Sequence, residues 1–81
     1  MPRDRATDDA HDLFTRGHQA LTAGDYQEAV ECYSRAIRLR PSDAAGYRFR
    51  AQAYSELGDR VRALNDLDQA IRLKPDDAQA Y

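Results

Sequence analysis

At 81 residues the chain is at most one small domain, burying only about 60–65% of the surface its unfolded form exposes. Hydrophobic residues make up 42% and charged residues 32%, a balance that favours a helical, well-solvated globular piece over a disordered one. A net charge of -2 supplies no global field to recruit nucleic acid or acidic lipid, and the single cysteine, Cys32, excludes an internal disulfide framework.

Residues 1–7 are polar and lack both apolar periodicity and the hydrophobic stretch of a signal peptide, so they read as a loose arm. No run approaches the length that crosses a bilayer, and the expected setting is soluble and cytoplasmic, without membrane contact. Asp8 or Asp9 then offers an N-cap oxygen to a first helix, along which Leu13, Gly17, Ala20 and Leu21 share one face. Gly24 ends it, because glycine takes a left-handed backbone without a Cβ clash. Asp25 with Glu28 resembles a capping box and opens a second helix. Ala29, Tyr33, Ala36 and Ile37 form its apolar face, and Pro41 stops it. Ser42 or Asp43 caps a third helix with Tyr47, Ala51, Tyr54 and Leu57 on one face. Gly58 turns the chain, and Asp59 opens a fourth helix carrying Ala63, Leu64, Leu67, Ala70 and Ile71, which Pro75 ends. Asp76 to Tyr81 then begin the same grammar again.

The second half repeats the first. Gly24 and Gly58, Asp25 and Asp59, Ala29 and Ala63, Ala36 and Ala70, and Pro41 and Pro75 each stand 34 apart. A fixed period of this size means stacked supersecondary units, and the short turns within each unit force antiparallel neighbours. The expected fold is all-α, four helices arranged as antiparallel helix-turn-helix repeats. A flexible arm and first cap take residues 1–9, two units take 10–43 and 44–77, and a truncated third begins over 78–81.

This pattern resembles the tetratricopeptide repeat, a 34-residue pair of antiparallel helices. Gly17, Ala29, Tyr33, Ala36 and Pro41 fall on the family's small, aromatic and closing positions in the first unit. Tyr47, Ala51, Leu57, Ala63, Ala70 and Pro75 do so in the second. The departures are Leu13 for an aromatic, Arg16 and Arg50 for a leucine, Arg60 for the turn tyrosine and Leu67 for the second aromatic. The resemblance implies that Ala29 and Ala63 let the helices of a pair approach closely, and that Ala36 and Ala70 do so at the junction with the following unit.

Catalytic and metal chemistry find little footing. His11 and His18 lie seven residues apart, about 10.5 Å of helix rise, too far to share an ion. Cys32 neighbours Glu28 and Glu31 rather than an activating base, so packing explains it better than reactivity. Ser34, Ser42 and Ser55 have no placed base, and Asp66 with Asp68 sits on a helix rather than in a cleft. No enzyme activity, cofactor or metal is expected. Arg48, Arg50, Arg60 and Arg62 form the most basic cluster, but a pI near 5.5 argues for a solvated or salt-bridged set over nucleic-acid binding.

In the family the first helix of each pair lines a concave groove along which partner peptides lie. Carried over by position, the groove residues are His11, Phe14, His18, Arg48, Phe49, Gln52 and Gln79. One family subclass grips the carboxylate end of heat-shock chaperones with Lys, Asn and Arg. Here the matching positions hold Phe14, His18, Phe49 and Gln79, so that partner is disfavoured. The resemblance implies a non-catalytic scaffold binding a peptide or protein segment. The alternative is a structural self-association module with an empty groove. A homo-oligomer is expected in either case, because Leu64, Leu67 and Ile71 of the fourth helix, with Tyr81, would form an apolar strip without enough following chain to cover it.

Overall fold

The computed structural model describes residues 5–73, with side chains from residue 10 onward. Four helices account for these residues: α1 (Arg5–Ala23), α2 (Tyr26–Leu39), α3 (Ala44–Glu56) and α4 (Arg60–Leu73). The all-α reading holds. The start does not: α1 begins at Arg5, so residues 5–7 are helical rather than part of a loose arm, and Asp8 and Asp9 lie inside the helix. Arg5 and Ala6 are good helix formers, and neither glycine nor proline interrupts the chain there. Lys74 to Tyr81, including the stop at Pro75 and the start of a third unit, lie outside the described residues.

Both hairpin turns close in the same way. Gly24 and Gly58 have φ of 84° and 83°. The Gly24 amide donates to the Leu21 carbonyl at 3.1 Å and the Asp25 amide to Ala20 at 2.8 Å. Gly58 donates to Ser55 at 3.0 Å and Asp59 to Tyr54 at 2.9 Å. This pair of bonds consumes two otherwise orphaned carbonyls at each helix end. The N-caps differ. Asp43 accepts from the Ala45 amide at 2.9 Å, and Asp59 from the Arg62 amide at 3.2 Å. Asp25 holds the N-cap place of α2 but makes no side-chain capping bond, so the expected capping box does not form. Its ψ of 72° departs from the extended backbone that brings the Asp43 carboxylate to the Ala45 amide.

Each helix packs on its neighbour in sequence, α1 on α2, α2 on α3 and α3 on α4. The main core joins Ala20, Ala29, Tyr33 and Ala53, with Phe14, Leu21, Val30 and Phe49 packed against it. A second cluster seats Ala36 against Leu13 and Cys32, with Phe14 beside them. Ala36 therefore packs toward α1 rather than serving only the junction with the following unit. Two glycines allow the tightest approaches. A Cβ on Gly17 would stand 2.5 Å from Tyr33 Cε1, and one on Gly46 2.7 Å from Ile37 Cγ1.

The buried face of α3 also differs from expectation. Ala44, Gly46, Ala51 and Ala53 are buried, Tyr47 and Tyr54 half-buried, and Leu57 exposed. A single apolar stripe cannot describe this helix because it is packed on two sides, by α2 and by α4. On α4 only Ala63, Asp66 and Ala70 are buried. Val61, Leu64, Leu67 and Ile71 remain 70%, 59%, 41% and 52% exposed, whereas Ala70, read from the sequence as part of the same apolar face, is buried.

Candidate functional site

Four aromatic rings from three helices meet where α1 and α3 come together. Phe14 and His18 stand one turn apart on α1, Tyr33 rises from α2 beneath them, and Phe49 reaches across from α3. The ring centroids of Phe14 and Phe49 lie 6.0 Å apart at 72°, and those of His18 and Phe49 4.6 Å apart at 81°. Tyr33 and Phe49 stack at 5.7 Å and 28°. Edge-to-face and offset pairs of this kind are favoured by the ring quadrupoles.

Tyr33 is the floor of the cluster. It has no solvent exposure, lies against Gly17, and its hydroxyl is 2.6 Å from His18 Nδ1. Burial, with a smaller contribution from Cys32, pushes its pKa up to about 12, so the hydroxyl keeps its proton at neutral pH. Phe14 and Phe49 are half-buried and His18 is exposed. The Arg48 guanidinium carbon sits 5.7 Å from the Phe49 ring centroid, on an otherwise exposed side chain. The structure thus brings Phe14, His18, Arg48 and Phe49 together. His11 and Gln52 are exposed on the same two helices, outside the ring cluster, and Gln79 is outside the described residues. Of the self-association residues, Leu64, Leu67 and Ile71 are exposed on α4, and Tyr81 is outside the described residues.

The arginine cluster comes apart. Arg50 turns inward, donating from Nε to Asp66 Oδ2 at 2.7 Å and from Nη2 to Asp66 Oδ1 at 2.8 Å. Its Nη1 donates to Ser34 Oγ at 3.0 Å, so one guanidinium ties α2, α3 and α4. The Tyr47 and Tyr54 rings each lie 5.7 Å from its central carbon. The hydrogen bonds to Asp66 raise the Arg50 pKa above its ordinary value. Arg62 pairs with Asp59 at 3.1 Å on the surface, and Arg60 is exposed. The sequence reading missed this network, although an arginine at a leucine position with a carboxylate 16 residues on was a usable signal. Cys32 is buried, and burial together with the nearby Glu28 charge pushes its thiol pKa up, away from nucleophilic use.

Antiparallel helix pairs that repeat every 34 residues around small side chains define a helical-repeat protein. The tetratricopeptide repeat model matches residues 16–81, and the chain belongs to that family. It is 37% identical over 57 residues to the small glutamine-rich tetratricopeptide repeat-containing protein 2 of Mycosarcoma maydis, covering 70% of this chain and 16% of that protein. It is 38% identical over 68 residues to human serine/threonine-protein phosphatase 5, covering 75% of this chain and 14% of that one. Human small glutamine-rich tetratricopeptide repeat-containing protein alpha is 35% identical over 57 residues, 70% of this chain and 18% of that protein. The chain thus spans less than a fifth of each relative, and among the described residues no helix is long and apolar enough to cross a membrane.

Proposed function

We propose that residues 10–43 and 44–77 are two tetratricopeptide units forming a non-catalytic module that holds a peptide or protein segment along α1 and α3. The observation that carries this is the junction of Phe14, His18 and Phe49, a partly exposed aromatic surface flanked by the Arg48 guanidinium. Aromatic and arginine side chains in such settings carry most of the energy of protein recognition. Polar reach comes from the exposed His11 and Gln52. Phe49 is a poor probe of this role, because its ring also packs on the buried core and its loss costs stability. Arg48→Ala and Gln52→Ala change exposed side chains instead. Panning a random peptide library against the protein should select binders. Arg48→Ala should weaken the best of them by about 5-fold or more, roughly 1 kcal/mol, without moving the thermal midpoint. No selected peptide, or full affinity in both variants, rejects the groove.

A second reading is self-association through α4, favoured by the exposure of Val61, Leu64, Leu67 and Ile71 along one helix. Light scattering across a concentration series tests it. A mass that rises with concentration and returns to the monomer value in Leu67→Glu supports the reading, and a monomer at millimolar concentration with intact helicity removes it.

A further inference from the structure

The bond between Tyr33 and His18 has a direction that burial decides. Among the described residues, His18 Nδ1 is the one hydrogen-bond partner of the Tyr33 hydroxyl. If Nδ1 carried a proton and donated to the phenol oxygen, the phenolic proton would be left on a side chain without solvent exposure and, among the described residues, without an acceptor. A buried donor without an acceptor forfeits its whole hydration, whereas a phenol oxygen that only donates forfeits far less. The hydroxyl therefore donates to a bare Nδ1, and a neutral imidazole with a bare Nδ1 carries its proton on Nε2. The ring cannot easily turn to undo this, since Phe49 meets it edge-to-face at 4.6 Å and Phe14 stacks at 6.3 Å and 27°. The imidazole itself is exposed on the groove side of α1.

We infer that Tyr33 is a positioning residue that holds His18 in its Nε2–H form, so that the groove presents a fixed hydrogen-bond donor to an acceptor oxygen of a bound peptide. The ligand half rests on the groove reading above, while the tautomer does not. The groove side chains His11, Phe14, His18, Arg48, Phe49 and Gln52 include no carboxylate, and Arg48 adds a second donor against the same Phe49 ring. That chemistry suits main-chain carbonyl or carboxylate oxygens. Replacing each acidic residue of a selected peptide by its amide separates the two.

The chain has two histidines, so long-range proton–nitrogen spectra of the imidazoles are readily assigned. At about pH 8, above the ordinary imidazole range, His18 should show an unprotonated Nδ1 and a protonated Nε2. In Tyr33→Phe the two nitrogen shifts should move toward each other as the solvent mixture of tautomers returns. A protonated Nδ1 in the native protein, or identical spectra for the two proteins, overturns the positioning role. The double variant H18F/Y33F replaces both partners by apolar rings and strands no buried donor. It should keep the native midpoint and bind the best selected peptide about 3- to 10-fold more weakly, the range of one hydrogen bond. Unchanged affinity overturns the ligand half. A native protein that selects no peptide yet shows the Nε2–H spectrum overturns the ligand half together with the groove reading, and leaves the positioning role standing.

Discussion

Arg50 and Asp66 should be worth far more lost singly than lost together. The Arg50 side chain keeps 22% of its exposure and Asp66 only 6%, and two bonds of 2.7 and 2.8 Å join them. Arg50→Leu strands a carboxylate that water barely reaches, and breaking a buried pair in that way costs about 3–5 kcal/mol. Asp66→Leu strands a guanidinium that still donates to Ser34 at 3.0 Å and still touches solvent, so its cost should be lower, about 2–3 kcal/mol. The double variant places leucine at position 50, where the family has it, and removes the desolvation penalty of both charges. It should stay within about 1 kcal/mol of the native protein. A chain of this size is stable by only about 4–12 kcal/mol in total, so urea unfolding is best followed by circular dichroism near 10 °C. The measure is the coupling energy of the double-mutant cycle. Losses that simply add, or an Asp66→Leu that costs more than Arg50→Leu, would refute the assignment of burial to the two partners.

Gly17→Ala forces a methyl to within 2.5 Å of the Tyr33 ring and should cost about 1–3 kcal/mol, read from the urea midpoint. Glycine at position 24 faces open space, so Gly24→Ala should lose only the left-handed backbone penalty of about 1–2 kcal/mol. High pH should expose the buried phenol. Tyr33 titrates near 12 in the folded chain against about 10 unfolded, so the folded state holds its proton more tightly. Its contribution is fully present below about pH 10 and is lost as pH rises toward 12. Equilibrium unfolding between pH 9 and 12 should show that decline, and Tyr33→Phe should reduce it.

The repeat was legible because its signals are local. Glycines 34 apart fix the turns, and both take the left-handed backbone they were read for. The faces of α1 and α2 were legible because their buried residues, Leu13, Gly17 and Ala20 on one and Ala29, Tyr33, Ala36 and Ile37 on the other, recur at three- and four-residue steps. The same reasoning failed on α3, where burial on two sides by alanine and glycine leaves no stripe to find. Asp66 was invisible as a core residue because a carboxylate is buried only when something far along the chain pairs with it, here an arginine 16 residues earlier. At the candidate site the sequence supplied which rings stand on α1 and α3. The hydrogen bond from Tyr33 to His18 depends on how closely α2 approaches Gly17, and no periodicity encodes that distance.

Among the described residues, α2 and α3 each pack between two sequence neighbours, α1 packs on α2 and meets Phe49 of α3, and α4 packs on α3 alone. Such a chain unravels from its edges rather than all at once. The α4 edge is tied to the rest through Ala63, Ala70 and the Arg50–Asp66 pair, whereas α1 is joined through the cluster of four rings. Amide protons of α4 should therefore trade with deuterium soonest and those of α2 last. Under a pulling force applied at the two ends, the fourth helix would peel away while the aromatic junction was still closed.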